Sequence, residues 1–119
     1  MKANARFQII AKATSDLVWD WDLTNDNLWW NDSYYDKMGF SKKKEIVLVD
    51  NWYQNIHPDD ILRVKEKLKK TFAGNELVWK EEYRYAKADG TYLHFLDRGH
   101  IIRDNDGKAT RMIGSMVDV

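Results

Sequence analysis

Residues 77–119 read LVWKEEYRYAKADGTYLHFLDRGHIIRDNDGKATRMIGSMVDV, three apolar-rich runs separated by Asp89-Gly90 and Asp106-Gly107. Leu77, Trp79, Tyr83 and Tyr85 alternate with Val78, Lys80, Glu82 and Arg84, and Glu81 is the one interruption. A period of two belongs to a strand with one buried face, because successive side chains leave a pleated backbone on opposite sides. The second run, Thr91 to Arg103, and the third, Ala109 to Val119, are rich in aromatic, Ile, Val and Met residues. Each is entered through an Asp-Gly pair, the strongest short-range hairpin signal, so the stretch predicts a three-stranded antiparallel meander.

Working back from the meander, Leu17 to Leu23 alternates in the same way, with Leu17, Trp19, Trp21 and Leu23 facing one side and Val18, Asp20 and Asp22 the other. Thr24 to Asn27 is turn chemistry, and Leu28-Trp29-Trp30 starts a strand that pairs back as a hairpin. Asp32 or Ser33 is placed to cap a short helix through Met38, with Gly39 at its C-terminal end. Periodicity alone leaves Ile46 to Val49 open between helix and strand, and a helical turn is preferred. Trp52 to Ile56 reads as another helical turn. In His57-Pro58-Asp59-Asp60, Pro58 suits a first helical position and the aspartates suit the positive end of a helix dipole. Ile61, Val64, Leu68 and Phe72 then form one apolar stripe that Gly74 ends. Ala5 to Thr14 suits a short amphipathic helix ahead of the first strand. The expected fold is α+β, a five-stranded antiparallel sheet with helices on one face and an N-terminal cap helix. It forms one domain over 1–119, with the cap helix within 1–15 and the core in 16–119.

Composition narrows function. Nineteen basic and nineteen acidic residues cancel, so no global field draws nucleic acid or an anionic membrane. No apolar run approaches the roughly 18 residues that span a bilayer, and a cytoplasmic location is expected, as is no direct membrane insertion. The absence of cysteine removes thiolate metal sites, cysteine nucleophiles and disulfides. His57, His94 and His100 lack metal-ligand spacing. Asp16, Asp20 and Asp22 read as a solvated strand face and turn anchors, with no nucleophile or base in view.

The element order and particular residues together resemble a PAS domain. They are Val18-Trp19-Asp20-Trp21-Asp22-Leu23, His57-Pro58-Asp59-Asp60, Glu82-Tyr83-Arg84, Asp89-Gly90, Asp97-Arg98-Gly99, Arg103-Asp104 with Gly107, and Gly114 followed by Asp118-Val119. The resemblance spans about residues 5–119. His94 departs from it, since this branch usually carries Trp early in the second meander strand, and the sequence ends at Val119 where the family pattern continues into an effector. The resemblance implies a sensory or relay module of a histidine kinase, a diguanylate cyclase or a similar receptor, without catalysis of its own. LOV-type flavin chemistry needs a cysteine, and the long helix offers no axial histidine for haem, so no cofactor is expected.

Strand phase and the resemblance together place Trp19, Trp21, Trp79, Tyr83, Tyr85, Leu93, Phe95, Met112, Gly114 and Met116 toward the space between sheet and helices. A buried Trp or Tyr occupies about 150–250 Å², and several converging rings leave little of the roughly 300 Å³ that a drug-sized ligand needs. A packed core is therefore preferred, with a small cavity beside Gly114, Met112 and Met116 as the alternative. The opposite face, with Val18, Tyr92, His94, Leu96, Ile113, Ser115 and Val117, is an apolar strip that needs a cover. Phe7 and Ile10 of the cap helix or a second copy of the chain supply it, giving an expected homodimer. Asp118 is the expected signal exit.

Overall fold

The computed structural model describes residues 16–119, and the expected N-terminal helix, with Phe7 and Ile10, lies outside them. The elements run β1 (Leu17–Asp22), β2 (Asn27–Trp30), α1 (Asp32–Met38), β3 (Ile46–Leu48), α2 (Asp50–Tyr53), α3 (Ile61–Ala73), β4 (Val78–Ala86), β5 (Tyr92–Arg103) and β6 (Ala109–Asp118). They form a single antiparallel sheet in the order β3-β2-β1-β6-β5-β4. The first and last strands of the described chain therefore lie side by side at its centre, with Val18 opposite Ser115 and Trp19 opposite Gly114. Among the described residues no helix is long and apolar enough to cross a membrane.

The meander forms as its alternation and turns predict. Gly90 and Gly107 take φ values of 88° and 83°, which side chains other than glycine rarely adopt. Leu77 is the exception, since it precedes β4 and is exposed. The sheet has six strands because Ile46 to Leu48, expected as a helical turn, pairs with β2 from Asn27↔Leu48 to Trp29↔Ile46. A short apolar run carries no period of its own, and here the open edge of β2 decides its conformation.

Two helix starts also differ in detail from expectation. The N-cap of α1 is Asn31, one residue early; its buried Oδ1 accepts from Tyr34 N at 3.3 Å and from Val18 N at 3.1 Å. This amide thus ties the helix to β1. Pro58 to Asp60 form a turn ahead of α3, with His57 Nδ1 accepting from Asp59 N at 3.0 Å. The Asp60 carboxylate caps nothing and reaches across to Arg84. At the other end of α3, Arg103 donates to the carbonyls of Thr71 and Phe72 at 2.8 and 3.1 Å, fixing the helix to β5. The helices lie on the sheet face that carries Trp19, Trp79 and Met112, and the principal core sits between them.

Candidate functional site

The inward-facing candidates come together as strand phase places them. Trp19, Trp21, Trp79, Tyr83, Tyr85, Phe95, Met112 and Met116 are all buried in one cluster, and Leu93 packs half-buried at its margin. The rings meet mostly edge to face: Trp19 on Trp79 at 6.5 Å between centroids, Trp52 on Trp79 at 6.1 Å, and Trp52 on Tyr83 at 5.8 Å. Such contacts direct the positive ring edge at the negative ring face and add to area burial. What remains is an interior cavity of about 10 Å³ among Trp19, Trp21, Leu28, Trp30, Trp52, Trp79, Asp97 and Met112. That is room for about one water molecule.

The position beside Gly114, where a small cavity was the alternative to a packed core, is filled. Gly114 pairs directly with Gly99 of β5, and the Trp19 indole lies across both. A Cβ on Gly114 would sit 2.0 Å from the Arg98 carbonyl oxygen and 2.5 Å from Trp19 Cζ2; one on Gly99 would sit 2.6 Å from Trp19 Cη2. The two glycines are needed for close approach of a ring, not for a ligand.

Asp97 is the functional-looking residue absent from the inward set. It continues the phase of Leu93 and Phe95 and is 1% exposed. Its Oδ1 accepts from Trp19 Nε1 at 2.8 Å and its Oδ2 from the Tyr83 hydroxyl at 2.5 Å. Tyr83 in turn accepts from Trp52 Nε1 at 2.8 Å. This polar chain joins α2, β4, β5 and β1 through the core. Burial pushes the Asp97 carboxyl up to about 7, against the pull of its two donors. The Tyr83 hydroxyl is pushed well above its ordinary range, by burial first and then by Asp97. Trp79 Nε1 is buried with no partner among the described residues. The alternation that located Phe95 also pointed to Asp97, but a carboxylate in an inward phase is easily read as a motif residue and not as core.

On the outer face, Val18 is covered by Trp29. Leu96, Ile113, Ser115 and Val117 are half-buried, while Tyr92 and His94 are exposed. Tyr92 rests on the His57 ring at 4.7 Å, and His94 Nε2 lies 3.5 Å from Glu82 Oε1. Leu96 faces Val117 and Val18 faces Ser115 across the strands, so these residues form one surface. Asp20 binds Arg111 in two places, and Asp22 accepts from both the N–H and the hydroxyl of Thr24. Both carboxylates are used structurally. Asp118 ends β6 and lies 3.5 Å from Lys37 of α1. Among the described residues no three His, Asp or Glu side chains gather as a metal site.

A family model described as the PAS fold matches residues 27–116. The uncharacterized protein y4lL of Sinorhizobium fredii is 31% identical over 85 residues, covering 71% of this chain, which spans only 10% of that protein's length. A sensory box histidine kinase/response regulator from Burkholderia thailandensis superposes with a TM-score of 0.80 at 26% identity, covering 96% of this chain and 84% of that one. The N-terminal domain of a diguanylate cyclase with a PAS/PAC sensor from Marinobacter aquaeolei gives 0.77 at 22% identity, over 87% and 94% of the two chains. A domain of a protein from Haloarcula marismortui named as a light and redox sensing histidine kinase gives 0.75 at 22%, over 97% and 98%.

Proposed function

Because the chain belongs to the PAS-fold family, we propose that it is a non-catalytic signal-relay and dimerisation module of a larger bacterial-type signalling protein. The observation that carries this reading is the closed inner face, where aromatic rings leave only about 10 Å³. A domain with a filled core passes on a change of packing between its surfaces. Kinship with sensory domains of a histidine kinase and a diguanylate cyclase supports the setting, a cytoplasmic receptor with an effector beyond Val119. The outer strip of Leu96, Ile113, Ser115 and Val117 is the homodimer surface. Central strand β6 crosses this strip and ends at Asp118, so a shift between two copies moves the point where the chain leaves the domain. No cofactor, metal or nucleic acid is assigned to it.

Sedimentation equilibrium tests the proposal: the wild-type chain is expected to dimerise in the micromolar range, and Ile113→Glu to remain monomeric with an unchanged circular dichroism spectrum. A wild-type monomer overturns it. A second reading, a small-molecule sensor, is favoured by the unpartnered Trp79 N–H and by Asp97, both of which line the interior cavity. It requires one indole to swing aside, and a small molecule copurifying with the chain in native mass spectrometry would establish it over the filled-core relay.

A further inference from the structure

A second hollow lies at the edge of the core, between α1 with the segment that follows it and α2, with room of about 660 Å³. Its floor is aromatic. Trp30 and Tyr34 stack at 3.8 Å with 10° between their planes, and Phe40 lies 6.0 Å from Tyr34 with 24° between theirs. Trp30 lines both this groove and the interior cavity, so its indole is the wall between them.

Two features make the groove more than a gap in packing. The Tyr35 hydroxyl, also on its lining, is buried without a hydrogen-bond partner among the described residues. A buried hydroxyl left unpaired is costly, and a ligand acceptor would satisfy it. Charge is the second feature. Of the lysine run 42–44, Lys42 is held by Asp32 at 3.4 Å and Glu45 at 2.5 Å. Lys43 and Lys44 line the groove, make no ion pair among the described residues, and meet no acidic residue on its lining.

From the stacked floor, the unpaired hydroxyl and the two free ammonium groups, we infer that this groove binds a small aromatic carboxylate. The ring lies against Trp30, Tyr34 and Phe40, and the carboxylate accepts from Tyr35 and the lysines. The volume lies within the roughly 300–1,000 Å³ of small-molecule sites. The inference is independent of the relay reading, since none of the groove's lining residues belongs to the outer strip.

Isothermal titration of the whole chain with 2-naphthylacetate and its neutral analogue 2-naphthylacetamide tests it. One-site binding of the carboxylate is expected, with the amide at least about tenfold weaker. Lys43→Ala with Lys44→Ala, at exposed positions, should abolish that preference, and Tyr35→Phe should weaken carboxylate binding by about fivefold. Met112→Ala, which enlarges the interior cavity, should leave the groove affinity unchanged. Equal affinity for acid and amide, no heat at millimolar ligand, or binding that follows Met112→Ala each overturns the assignment. The oligomeric state, measured separately, reports on the relay reading alone.

Discussion

Two buried carboxylates, Asp60 and Asp97, are shifted in opposite directions from the ordinary carboxylate range. Asp60, 7% exposed at the start of α3, faces a guanidinium: Arg84 donates to it from Nη2 at 2.8 Å, from Nε at 3.0 Å and from its backbone N at 2.9 Å, with Arg63 at 3.4 Å. Hydrogen bonding from Arg84 holds its carboxyl well below the usual range, outweighing desolvation. Asp97 is buried further and faces only neutral donors, Trp19 and Tyr83. There desolvation wins, and the carboxyl is pushed up to about 7. Burial alone does not set the charge of a carboxylate; the formal charge of what it touches does. Asp60 works as a charged clasp between α3 and β4, and Asp97 as a hub among rings whose charge changes near neutral pH.

The contrast depends on Trp19 sealing Asp97 from water, and the strongest way to break it is to displace that ring. Gly114→Val places side-chain atoms where the Arg98 carbonyl and the Trp19 indole already are. A loss of about 3 kcal/mol or more is expected, read by urea denaturation; a loss below about 1 kcal/mol would mean that the ring does not need the glycine pair. Next in size is Tyr83→Phe, which takes a donor from Asp97 and an acceptor from Trp52. A cost of about 2–3 kcal/mol follows from leaving two buried groups under-satisfied. Asp97 should also titrate higher than in the wild type, which carboxyl carbon NMR can follow.

How much of this was legible in the sequence differs between the two sites for a physical reason. Strand phase located Trp19, Tyr83 and Phe95 because a sheet with one covered face imposes a period of two. The same phase held Asp97, but its meaning depends on Trp19 and Tyr83 arriving from other strands, and pairing between β1 and β6 is not written in local pattern. Asp60 was legible as a helix-start acid, yet its partner is Arg84, 24 residues away. Ile46 to Leu48 illustrates the same limit, since its strand exists only because β2 offers an edge. The groove lined by Lys43 and Lys44 was invisible because a charge run reads as solvated surface until the aromatic floor beside it is known.

Asp60→Asn sharpens the comparison from the charged side. It keeps shape and removes charge, and about 2 kcal/mol should be lost at pH 7. Because the folded carboxyl titrates below its ordinary 3.8, its stabilisation is full above that value and fades as pH falls through the folded pKa. The gap between wild type and variant should therefore narrow on acidification toward pH 2, and a gap that stays constant with pH would remove the charged clasp.

Asp97→Asn should have the smallest effect on the acid side and the opposite slope. The folded carboxyl titrates at about 7 against an ordinary 3.8, so the folded state holds the proton more tightly. Its contribution is thus complete below 3.8 and is lost as pH rises through 7, with a limiting slope of about 1.4 kcal/mol per pH unit. Asparagine carries no such slope. Its oxygen can accept from Trp19, but its amide turned toward Tyr83 leaves the Tyr83 proton without its acceptor, a cost of about 1 kcal/mol. At about pH 3.5 the wild type should be slightly the more stable, the curves should cross near about pH 4.5, and from about pH 6 upward the variant should be the more stable. Urea denaturation at about pH 3.5, 4.5, 6 and 8 would show the two stability curves crossing. Parallel curves would mean that Asp97 keeps its ordinary 3.8 in the fold, and that a pair of neutral donors can offset the burial of a charge.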